Sequence, residues 1–117
     1  MKVLLVEPMQ LPRAVEIDCS LDAMYRILDC RTITAVYPWE DPVALVTDDE
    51  GMLRAKVPNR YIPQLRQPIF GSFFLCGIGE EDFTDLPDEL LEKYAEYFGK
   101  RELIDADEFG IRVVAME

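Results

Sequence analysis

The chain has 117 residues, half of them apolar, with 23 Asp and Glu against 12 Lys and Arg, three cysteines and no histidine. That length supports one hydrophobic core, and the missing imidazole removes Ser-His-Asp and Cys-His catalysis along with His-containing zinc sites. A net charge of −11 and a pI near 4.4 argue against direct nucleic-acid binding and against a membrane-surface binder, because phosphate-rich targets would be repelled.

Met1–Val6, apolar but for Lys2, meets Glu7 and Pro8 at once, so it reads as a first strand and not as a signal peptide. Ala14–Ile17 follows as a second strand beyond a loop stiffened by Pro8 and Pro12. Ser20 offers a capping oxygen to a short helix, in which Leu21, Met24, Tyr25 and Leu28 make one apolar stripe. Arg31–Tyr37 reads as a strand, and the wholly apolar Pro42–Thr47 reads as a central one. The acidic turn Asp48–Gly51 needs a glycine free to take positive φ, and Met52–Val57 is expected to return antiparallel.

Three prolines between Pro58 and Pro68 predict a loop. Ile69–Gly77 then reads as one aromatic strand. Before the second helix, Asp85 is the expected cap and Pro87 suits the first turn. Leu90, Leu91, Tyr94 and Phe98 form its apolar side, and Gly99 ends it. Glu102–Glu108 reads as a charged connector. Ile111–Met116 reads as a last strand with two available partners, a sheet edge of its own protomer or a second chain, the latter giving a homo-oligomer. The expected fold class is α+β: a mainly antiparallel sheet of about five to six strands with two helices, in one compact domain over 1–117.

One stretch stands apart in charge. Between Gly51 and Gly79 there is no carboxylate, while Arg54, Lys56, Arg60 and Arg66 fall there with the chain's only asparagine, Asn59. Removing those four cations from the net −11 leaves −15 on the remaining residues. Such a partition predicts a basic patch or pocket on an anionic body. Arg60 offers a planar fork of donors to phosphate or carboxylate, with a salt bridge to a nearby acid as the structural alternative. Tyr37 and Trp39 can stack on a planar ring or pack at the core rim. Ser72, beside Gly71, sits where backbone can approach a ligand.

Other motifs read as structure. Gly77-Ile78-Gly79 lacks a third glycine and is followed by Glu80-Glu81-Asp82, so it reads as a turn and not a phosphate loop. The two acidic triplets read as solvated turns, without the alternating spacing of a calcium loop. Cys19, Cys30 and Cys76 show no Cys-x-x-Cys spacing and read as reduced thiols of a cytosolic protein. No cofactor or metal site is expected and no nucleophile–base pair marks an enzyme, which leaves a metal-dependent hydrolase built on the acids as a third reading.

Several segments taken in order are familiar: Met1–Pro8, Ala35–Pro38 with Asp41–Val46, Pro58-Asn59-Arg60, Gly71–Phe83 and Leu86–Glu89. Together they resemble the domain-of-unknown-function 3846 family, small proteins of bacterial phages, plasmids and related mobile elements. The resemblance covers roughly residues 1–99. Two departures stand out: Asp29-Cys30-Arg31 replaces a Gly-Gly frequent in that family, and a tail over 100–117 continues past the usual end. A mobile-element setting implies a counter-defence role. The expectation is therefore a non-enzymatic accessory protein that sequesters a small anionic, nucleotide-type ligand, with Asn59, Arg60, Tyr37, Trp39, Arg54, Lys56, Arg66 and Ser72 as binding residues. The rival expectation is an acidic or DNA-mimicking module that inhibits a host defence protein.

Overall fold

The structure, a computed structural model, describes residues 1–107 and 110–116. In chain order its elements are β1 (Lys2–Val6), β2 (Arg13–Glu16), α1 (Leu21–Leu28), β3 (Ile33–Val36) and β4 (Val43–Asp48). They continue with β5 (Pro58–Ile62), a 3-10 turn at Pro63–Leu65, β6 (Gln67–Phe70), β7 (Phe73–Ile78) and β8 (Phe83–Thr84). Last come α2 (Asp88–Tyr97), β9 (Arg101–Asp107) and β10 (Gly110–Met116).

The most apolar runs take the middle of the sheet. The antiparallel order is β2-β1-β7-β4-β3, with β8 pairing the end of β7. Alternation then sends neighbouring residues to opposite faces. Leu4, Val6, Val43, Leu45, Phe73 and Leu75 face α2 and the β5–β6 hairpin. Val3, Leu5, Ala44, Val46, Phe74 and Cys76 lie under α1. Phe73 and Phe74 are each fully buried, one on each side, as strand alternation requires. The architecture is the expected α+β one, with helices on both faces of a mainly antiparallel sheet.

Local chemistry sets the helix ends. Ser20 Oγ accepts from the Ala23 N–H at 3.2 Å, and Asp29 closes α1 in the left-handed region at φ 51°. The cap of α2 differs from the sequence expectation. Asp85 instead accepts the Lys2 N–H at 2.8 Å, which ties the helix approach to β1, and Pro87 occupies the cap position.

Four segments depart from the expected elements. Met52–Val57 is not a strand: residues 49–55 form turns, with Ala55 at φ 56°. Pro58–Pro68 is not a loop but the start and body of a β-hairpin. Its prolines are accommodated because that hairpin is a separate two-stranded sheet with open edges. Ile69–Gly77 is broken at Gly71, φ 85°, which separates β6 from β7. The stretch read as a charged connector forms β9 up to Asp107 and pairs with β10, while Glu108 lies outside the described residues. Along one edge the last strand therefore pairs with β9 of its own protomer.

Candidate functional site

Asn59 and Arg60 are both wholly buried. The register of the β5–β6 hairpin shifts between Pro58 and Arg60, and this bulge frees two consecutive side chains from strict alternation. Asn59 Nδ2 donates to the carbonyls of Val6 at 2.9 Å and Gly71 at 3.0 Å. Its Oδ1 accepts from Arg60 Nη1 at 2.9 Å. Arg60 Nη2 donates to Gln10 O at 2.8 Å and Phe98 O at 3.2 Å, while Nε has no partner. Burial pulls the guanidinium pKa down from its ordinary value, with Glu102 opposing and Arg101 adding to that pull. The cation is held by neutral carbonyls, one at the C-terminal end of α2, where the helix dipole favours positive charge. Among the described residues it makes no hydrogen bond to a carboxylate.

Arg54 and Lys56 meet at a second place. Asp48, 1 % exposed at its side chain, accepts Lys56 Nζ at 2.8 Å and Arg54 Nη1 at 3.0 Å. Lys56 Nζ also donates to the carbonyls of Leu28 and Asp29, at 2.9 and 2.7 Å, and Arg54 Nη1 to Asp29 at 3.2 Å. Both cations thereby satisfy carbonyls at the end of α1. Burial pushes the Asp48 carboxyl pKa up. The Lys56 hydrogen bond, the Glu50 N–H and both positive charges outweigh this and hold it below its usual value. Ser72 lies with Lys56 along one shallow cleft of about 300 Å³, and its carbonyl accepts from Thr47 Oγ1 at 3.1 Å.

Trp39 sits elsewhere, over α2. Its ring centroid is 4.7 Å from that of Tyr94 and 6.2 Å from that of Tyr97. With Gln64, Asp41 and Lys93 these rings line a recess of about 400 Å³. Asp41 Oδ2 accepts from Lys93 Nζ at 2.6 Å and Tyr94 Oη at 2.8 Å, which hold its carboxyl below the usual range. Tyr37 is exposed at the end of β3, and Arg66 is exposed after the 3-10 turn at φ 55°. The structure brings Asn59 to Arg60, and Arg54 to Lys56 near Ser72. It does not bring the eight into one cavity.

Another concavity, of about 500 Å³, is lined by residues that sequence reasoning passed over as ligand contacts. Thr34, Val36, Thr47, Leu65, Ile69 and Phe70 contribute, and Ile104 and Ile111 of the C-terminal hairpin complete its wall. Asp48, expected in a solvated acidic turn, is instead nearly buried, and Asp41 was not singled out. A signal for Asp48 was present, since cations in a carboxylate-free window must find their counter-charges outside it. Outward-facing acids cluster differently: Glu80, Glu81, Asp82, Glu89, Glu92 and Glu96 are all exposed, three of them on one side of α2. Among the described residues no three metal-ligating side chains converge, and no helix is long and apolar enough to cross a membrane.

A family model described as a domain of unknown function (DUF3846) matches residues 1–99. No curated protein and no solved structure matches the chain.

Proposed function

The chain belongs to the DUF3846 family, and from that premise, which carries no activity with it, we propose that it is a non-enzymatic binding module whose acidic exterior covers a basic site on a partner protein. The observation that carries this reading is where the charges go. Arg60 is enclosed, Lys56 and Arg54 are committed to Asp48 and α1, and the carboxylates of α2 and the 80–82 turn face solvent. Such a surface steers a cationic partner and sets register more than it adds raw affinity. In the mobile-element setting that the family resemblance implies, the partner is a host defence protein met in the cytosol.

The test is capture by the immobilised full chain, with partners identified by mass spectrometry. A basic protein should be retained at low salt, released as salt rises, and lost with the Glu92→Lys/Glu96→Lys variant. Retention of the same protein by the reversed-charge variant removes α2 from the reading. Capture that does not respond to salt removes the electrostatic premise.

A second reading is kept for one observation, the aromatic recess at Trp39, where Tyr94 and Tyr97 offer rings to the planar base of a nucleotide-type ligand, although Lys93 is paired with Asp41 and Glu40 shares the lining. Isothermal titration with a panel of signalling nucleotides decides it. Binding weakened by Tyr97→Ala supports this recess; no binding tighter than millimolar ends the reading.

A further inference from the structure

The hairpin that follows the family-matched region has a character unlike the rest of the chain. β10 contains one charged side chain, Arg112, and no carboxylate, in a protein of net charge −11. Arg112 is itself paired with Asp105 across the hairpin at 3.1 Å. Leu103, Ile111, Val113 and Val114 are 52, 44, 40 and 58 % exposed. Among the described residues β10 has one neighbour, β9, so its other edge presents a row of backbone N–H and C=O groups. Of the usual edge guards it carries no proline and no lysine, and its one charge, Arg112, is paired within the hairpin. β9 is tied to the body by the Tyr61 N–H, which donates to Glu102 Oε1 at 2.9 Å, whereas β10 pairs with β9 alone among the described residues.

We propose that β10 pairs antiparallel with β10 of a second copy about a two-fold axis, giving a four-stranded sheet that runs from one β9 through both β10 strands to the other. Two-fold symmetry makes adjacent identical strands antiparallel and uses both open edges at once, leaving a closed dimer and not a fibre. Strand pairing with an axis normal to the sheet keeps each side chain on its own face. Val113 is opposite Ile104 in the hairpin, so Ile111, Val113 and Ala115 share the face of Ile104. In the dimer these rows join into one apolar surface, continuous with the cleft that Ile104 and Ile111 line.

Charge selects the occupant. A cationic partner is drawn to the carboxylate-rich exterior, not to a strand whose only charge is positive. The other open edges are less suited to self-pairing: β2 carries Arg13 and Glu16, and β3 is a four-residue strand. A second β10 is neutral in balance once Arg112 is paired, apolar, and of matching length. The interface is modest beside the roughly 800 Å² per partner of a standard complex, so the dimer forms reversibly with concentration. Each copy carries −11, hence salt strengthens this association, opposite in sign to capture of a basic partner.

Sedimentation equilibrium of the full chain over a concentration series, at low and moderate salt, tests the proposal. The expected result is a monomer–dimer equilibrium with more dimer at moderate salt. Val113→Lys and Val114→Lys change exposed positions on opposite faces and set like charges against each other or against Arg112 across the axis. Each should abolish the dimer while leaving the circular dichroism of the monomer unchanged. Glu92→Lys/Glu96→Lys should leave the dimer in place, so loss of the partner-binding reading does not touch this one. A monomer at every concentration and salt, or a dimer that survives both lysine variants, overturns self-pairing through β10.

Discussion

Asp48 and Arg60 show two ways in which a fold can hold charge. Arg60 has no carboxylate among its hydrogen-bond partners and is distributed over carbonyls from three parts of the chain. Asp48 gathers Lys56 and Arg54, and through them the end of α1. Removing the Asp48 charge strands a nearly buried ammonium, so Asp48→Asn should cost about 2–3 kcal/mol at neutral pH, read from urea unfolding. The pH dependence has a defined sign. A carboxyl with a lowered folded-state pKa stabilises above its unfolded value, near the ordinary 3.8, and loses that stability as pH falls through the folded value. The wild-type unfolding free energy should therefore drop below about pH 4, and the Asn variant should show a shallower acid limb. Equal limbs in the two proteins would remove Asp48 from this account.

At the scale of elements, the turn after β4 shows where reading glycine as a φ specialist misleads. Gly51 is not at positive φ; Ala55 takes that conformation instead. What Gly51 supplies is space, because a Cβ there would run into the carbonyl of Phe70 on β6. Gly51→Ala should therefore destabilise by about 1–3 kcal/mol through forced displacement of the β5–β6 hairpin, seen as a lower denaturant midpoint at unchanged slope. An unchanged midpoint would mean that the hairpin yields freely. The helices and β1, β2, β3, β4 and β10 were legible because periodicity and caps are local signals. The β5–β6 hairpin was not, since its prolines argue against strand on local grounds and the permissive feature, an open two-stranded edge, is tertiary. The single strand expected over Ile69–Gly77 failed for a related reason: Gly71 turns at φ 85°, and no local pattern distinguishes that glycine from one inside a strand.

Across the whole molecule, net charge −11 sits on a body of 43 × 29 × 23 Å, comparable with a Debye length of about 30 Å at 0.01 M salt and well above about 8 Å at 0.15 M. Self-repulsion among the carboxylates should make the folded state gain stability as salt rises over that interval. A thermal midpoint that falls instead would show that internal ion pairs, Asp48 with its cations foremost, outweigh the surface repulsion. Residue types and their local order settled the acidic character, the lack of imidazole chemistry, the α+β class and the uneven placement of cations, because none of these needs distant contacts. Whether those cations formed a cradle was a question of which groups become neighbours across Val6, Gln10, Asp48 and Phe98, positions far apart along the chain. Only the three-dimensional arrangement could decide it, and it spent Asn59, Arg60, Lys56 and Arg54 on backbone carbonyls, the Asn59 amide oxygen and one carboxylate, because polar groups drawn into a fold must be satisfied from whatever it brings near.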